Sequence, residues 1–165
     1  MAKSKVIRSW KNKIMSELSQ DDEIINALGL NPDESEDDLV WVRLYPHYYI
    51  PQTESDVRTY ILVEIDIPER RTRYGSNESD IWVRPTIVFY VLTHQEDMRM
   101  NMVGESGTRM DYLAELIEDK YEGREGFGVG TLQLKSDTAG SINNTYRFRQ
   151  LVFDAVDLDS GLCEG

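Results

Sequence analysis

At 165 residues, with 40% apolar and 29% charged side chains, the chain has the composition of an ordinary globular domain and not of a disordered one. Its formal net charge of −12 argues against binding to nucleic acid or anionic membranes, except where basic residues cluster. The lone cysteine, Cys163, excludes an intramolecular disulfide and fits a reducing compartment, and the longest apolar run, Thr86 to Thr93, is far shorter than the roughly 18 residues a membrane span requires.

The basic start, MAKSKVIRSWKNK, is followed by no apolar core of a secretory signal. Ile7, Trp10, Ile14 and Leu18 recur at helical spacing, which predicts a helix over Val6 to Leu18 with one buried face. A second, short helix is expected from Asp21 to Leu28. Its first turn holds Asp21, Asp22 and Glu23, where the helix dipole favours negative charge, and Gly29 follows as a stop. Asn31 to Asp38 reads as an acidic connector, extended and hydrated, without the central glycine of a calcium loop.

From Leu39 the apolar period changes to two. Strands are expected over Leu39 to Tyr49, Val57 to Ile67 and Ile81 to Thr93, with Pro85 marking an edge or a bulge. Ile61, Val63, Ile65 and Ile67 should face the core. Glu64, Asp66, Arg84 and Arg147 are expected on the opposite, hydrated or partner-facing side. Pro68 to Asp80, with Arg70, Arg71, Arg73 and Tyr74, reads as a long contact loop. Thr108 and Asp111 resemble a capping box that opens a helix to Tyr121, with Leu113, Leu116 and Ile117 on its apolar stripe and Gly123 at its end. A closing hairpin is expected from Thr131 to Leu134, a turn over Gly140 to Asn144, and Tyr146 to Val156.

Together these predict an α+β fold, with a mostly antiparallel sheet of about four to five strands and an N-terminal helix and a second long helix packed on one face. The chain reads as one domain over residues 1–165. It divides into a helical segment over 1–30, the acidic connector over 31–38, sheet plus helix over 39–158, and a flexible tail over 159–165.

No catalytic, cofactor or metal residue is assigned. His47 and His94 lack metal-pair spacing, and His94, with Glu96 and Asp97, is expected in an exposed loop. The glycine-rich GREGFGVG follows a helix and precedes a strand, the reverse of a phosphate loop. Tyr45, Tyr48 and Tyr49 gather around Pro46, as aromatics do at protein interfaces or at the rim of a core.

The segments RLYPHYYIPQTESDVRTYILVEIDIPE, RPTIVFYVLTHQED and TRMDYLAELIEDKY, with the closing strand pair, resemble tailed-bacteriophage neck proteins of the tail terminator and tail-completion kind. The resemblance implies a virion subunit, assembled in the bacterial cytoplasm, that forms a ring (commonly a hexamer) ending the tail tube and meeting the head connector or stopper proteins. Double-stranded DNA would pass an acidic lumen without specific binding. Candidate contact residues are Lys3, Lys5, Arg70, Arg71, Arg73 and Tyr74 on the basic side, and Asp33, Glu34, Glu36 and Asp37 on the acidic side. Alternatives are a stopper protein of the same neck, the equivalent part of a phage-tail-like bacteriocin, a small enzyme whose site is assembled in space, or a peptide-binding module.

Overall fold

The computed structural model describes residues 3–53, 55–72, 81–100 and 106–156. Helix α1 runs over Lys3–Ser19 and α2 over Asp22–Leu28. Strands β1, Leu44–Tyr45, β2, Thr59–Thr72, and β3, Ile81–His94, follow in turn. Helix α3, Arg109–Tyr121, then leads to β4, Thr131–Ser141, and β5, Tyr146–Val156. The order of elements is the one the periodicities predict, and the α+β class holds. No helix among the described residues is long and apolar enough to cross a membrane.

The five strands form one mixed sheet in the order β1-β2-β3-β5-β4. Only the β1–β2 pair is parallel; the other three pairs are antiparallel. Alternation along the strands sends Ile61, Val63 and Ile65, Ile87, Phe89 and Val91, and Leu151 and Phe153 to one face. That face meets Ile14 and Leu18 of α1, Ile24 and Leu28 of α2, and Leu113 and Ile117 of α3. Phe89 lies at its centre, with its ring 4.8 Å from Tyr121 and 5.7 Å from Phe153. Burying a ring of this size stabilises a fold by about 1.5–3 kcal/mol.

The helix ends follow local chemistry. Asp21 caps α2 by accepting from the amides of Glu23 and Ile24, at 3.1 and 3.3 Å. Thr108 Oγ1 accepts from the Asp111 amide at 3.1 Å and opens α3.

Five expectations need correction. The stretch Leu39 to Tyr49 is not a strand except at Leu44–Tyr45. The backbone of Val42, Arg43 and Leu44 bonds locally to the Leu39 carbonyl instead of to a neighbouring strand, and Arg43 is fully buried. The loop expected over Pro68 to Asp80 begins as strand, because β2 continues through Thr72 and pairs with Ile81 to Arg84. The β2–β3 pairing shifts register between Asp66 and Glu69, opposite Pro85, so the proline does mark a bulge. β4 runs to Ser141, well beyond Leu134, and Gly140 pairs with Phe148 inside the ladder.

Arg147 belongs to the helix side of the sheet, since it pairs with the buried Thr93 and lies beside Thr108 and Met110 of α3. His94 is buried, not exposed. Its Nδ1 accepts from the Glu96 amide at 3.1 Å, and its ring meets Tyr146 edge-on at 5.1 Å.

Candidate functional site

Two constellations stand out, and they lie back to back around residues 39–50. One is a buried ionic clamp. The other is an aromatic surface open to solvent.

The clamp forms where α2 ends. A helix C-terminus presents unpaired carbonyls and a partial negative charge. Two buried arginines supply the missing donors. Arg43 reaches the carbonyls of Leu28 at 3.3 Å, Gly29 at 3.4 Å and Thr59 at 3.0 Å. Its Nε and Nη2 also grip the Glu34 carboxylate at 2.7 and 2.6 Å, a bidentate pair with 1% and 5% side-chain exposure. Arg109 donates to the carbonyls of Ala27 at 2.6 Å, Asp97 at 2.8 Å and Arg99 at 3.3 Å. Gly29, with φ 63°, closes the helix directly against the Arg109 guanidinium. The clamp thus ties α2, the acidic connector, the start of β2 and the start of α3 together.

Glu34 therefore does not serve as a surface contact, and its part of the connector folds inward. Burial pushes its carboxyl upward, but the Arg43 hydrogen bonds, the Asn31 amide and the charges of Arg43 and Arg58 outweigh that and hold it below the usual glutamate range. A carboxyl lowered by folding stabilises the native state above its unfolded value of about 4.3 and loses that contribution as the pH falls through the lower folded value. The urea midpoint of the wild type should therefore drop more steeply below about pH 4.5 than that of Glu34→Gln. Parallel curves for the two proteins would remove Glu34 from the acid response.

The aromatic surface grows from the same turn. The Leu39 carbonyl accepts the amides of Val42, Arg43 and Leu44 at 3.1, 2.8 and 3.0 Å, and the Trp41 amide donates to the Leu44 carbonyl at 2.8 Å. This turn forces Trp41 to φ 72°, the one positive φ outside glycine among the described residues. A bulky residue there is strained. The strained Trp41 is nevertheless 59% exposed.

Its ring lies 5.6 Å from His47 and 6.1 Å, edge-on, from Tyr45. Tyr45 stacks on Tyr49 at 4.2 Å and touches Tyr60 at 6.1 Å. Tyr48 meets Tyr90 at 5.0 Å, and Tyr90 meets Phe148 at 6.1 Å. A row of rings therefore crosses the sheet face that the helices leave uncovered. That face is apolar beneath, with Tyr60, Leu62, Leu92 and Tyr146 buried. Glu64 and Asp66 lie on this face too, so it is partly polar over an apolar base. The Tyr60 hydroxyl donates to Asp56 Oδ2 at 2.5 Å and the Tyr146 hydroxyl donates to the Asp56 carbonyl. Burial, with help from neighbouring Tyr49 and Asp56, pushes the phenols of Tyr45 and Tyr146 up to about 12, so both stay protonated donors.

Of the contact residues expected from sequence, Asp33, Glu36 and Asp37 are exposed. Glu36–Asp38 form one 3-10 turn three residues before Trp41, capped by the Ser35 hydroxyl. Lys5 is exposed on α1, and Lys3 starts that helix with its side chain outside the described residues. The backbone of Arg70 and Arg71 pairs with Val83 and Trp82 in the sheet; their side chains, and all of Arg73 and Tyr74, lie outside the described residues. Among the described residues, Lys5 forms no ion pair with Asp33, Glu34, Glu36 or Asp37. Sequence reading missed Arg43, Arg109 and Trp41, although an arginine inside the apolar LVWVRLY carried a signal. Among the described residues no group of His, Cys, Asp and Glu is placed to hold a metal.

These features define a two-layer α+β protein whose buried charges hold its own elements together and whose uncovered sheet face is aromatic. The family model described as YomW matches residues 17–155, and the chain belongs to that family. This is a prophage family derived from Bacillus phage, which makes the chain a phage-related protein. No curated protein and no solved structure matches it.

Proposed function

We propose that the chain is a structural subunit of a phage neck, forming a homo-oligomeric ring that ends the tail tube and joins it to the head connector. The observation that carries this reading is the outward-facing aromatic row, led by a strained and exposed Trp41, on a phage-derived protein. Large exposed aromatics held rigidly are the anchors by which protein surfaces recognise each other. The net charge of −12 supports it too, because an acidic lumen repels DNA phosphates and lets a genome slide. Ring closure needs two different patches on each subunit, and the separated acidic and basic regions supply two.

Electron microscopy of the purified chain, alone and mixed with phage tail tube and connector proteins, tests the reading. Closed rings, free or seated on tube ends, are the expected result. A chain that forms none and binds neither protein overturns it.

A further inference from the structure

We infer that the Trp41 surface docks onto the basic outer face of α1 in a second copy of this chain. The inference rests on the ring reading and names the two patches that would meet.

Trp41 is flanked by Glu36, Asp37 and Asp38, all exposed and without an ion-pair partner among the described residues. The knob is therefore an exposed ring that follows a run of exposed carboxylates by three to five residues along the chain. Its complement is an apolar or stackable surface with a positive rim. The chain carries one. Five of its 18 basic residues fall in the first 16 positions, which hold no acid. On α1, Lys5, Arg8 and Lys13 are exposed and none has an ion pair among the described residues. Lys13 lies 4.6 Å over the Phe127 ring, and Trp10 meets the same ring at 6.1 Å, so this basic face also has aromatic ground beneath it.

Among the described residues, Lys5, Arg8 and Lys13 on one side and Glu36, Asp37 and Asp38 on the other thus carry opposite charges that no ion pair neutralises. A head-to-tail contact between copies satisfies both at once. Because the two patches differ, the contact repeats from copy to copy, and it closes into a ring when the rotation allows. The strain at Trp41 fits the same purpose: a turn that would be relaxed with glycine is kept strained with the ring pointing outward.

Sedimentation velocity of the full chain across micromolar concentrations tests this, beside electron microscopy of the same samples. The wild type should self-associate, less so as salt is raised. Trp41→Gly keeps the backbone free to adopt a positive φ, so its melting temperature should hold or rise while self-association weakens by about tenfold or more. Lys5→Glu with Arg8→Glu should also weaken it, and adding Glu36→Lys with Asp37→Lys should restore it. Association untouched by Trp41→Gly, or charge reversals that do not compensate, would overturn the inference; rings in those samples would leave the neck reading standing. A wild type that stays monomeric at every concentration also overturns it. In that case rings formed only on tube or connector proteins would keep the neck reading, and their absence would end it too.

Discussion

Arg43→Met is expected to lower the stability of the fold by about 3–5 kcal/mol, the cost of leaving one half of a buried ion pair without its partner. The Glu34 carboxylate, with 5% of its side chain exposed, would lose both Arg43 hydrogen bonds and keep only the Asn31 amide at 3.0 Å and Arg58 at 4.0 Å. The carbonyls of Leu28, Gly29 and Thr59 would lose donors at the same time. A shift of this size consumes a large part of the roughly 5–15 kcal/mol that holds a domain together. The urea midpoint of the variant, read by circular dichroism, measures it. Arg43→Met with Glu34→Leu should recover much of the loss, because removing both charges removes the uncompensated one. A single variant within about 1 kcal/mol of wild type would show that the clamp contributes little.

Gly29→Ala should destabilise the protein by about 2.5–5 kcal/mol, more than its small size suggests, through two costs that add. The first is the left-handed backbone at φ 63°, which disfavours any side chain by about 1–2 kcal/mol. The second is local. A Cβ at Gly29 would stand 2.3 Å from Arg109 Nη1, the nitrogen that donates to the Ala27 carbonyl at 2.6 Å. Arg109 would have to move, and a buried hydrogen bond from a charged group contributes about 1.5–3 kcal/mol. Gly123→Ala provides the control, since Gly123 has φ 76° but open space around its missing Cβ. It should show the backbone cost alone. Equal losses in the two variants would mean that Arg109 gives way freely and that its contacts at the end of α2 matter little.

Where the structure departs from the sequence reading, the reason is tertiary. The stretch from Leu39 to Tyr49 has the β-branched and aromatic residues of a strand, yet only Leu44–Tyr45 pairs. The end of α2 lies beside it with unpaired carbonyls, and Arg43 turns inward to meet them. No local pattern records that a helix end stands there. Glu34 looked like one acid among several in a hydrated connector, and its difference from Asp33 and Glu36 appears only once Arg43 is buried next to it. In the same way, Tyr48 and Phe148 are distant in sequence, and only the β2-β3-β5 order joins them through Tyr90 into one aromatic row.

The elements whose cause is local are legible in the chain without its fold. Ile14 and Leu18 on one face of α1, the Thr108 cap, the alternation of Ile61, Val63 and Ile65, and the order of helices and strands all follow from spacing and capping chemistry within a few residues. Tertiary structure alone decided which charges are buried and which aromatics face outward. Burial is a property of what packs against a residue, and for Arg43, Arg109 and Trp41 the deciding neighbours come from other elements or from a turn that those elements impose.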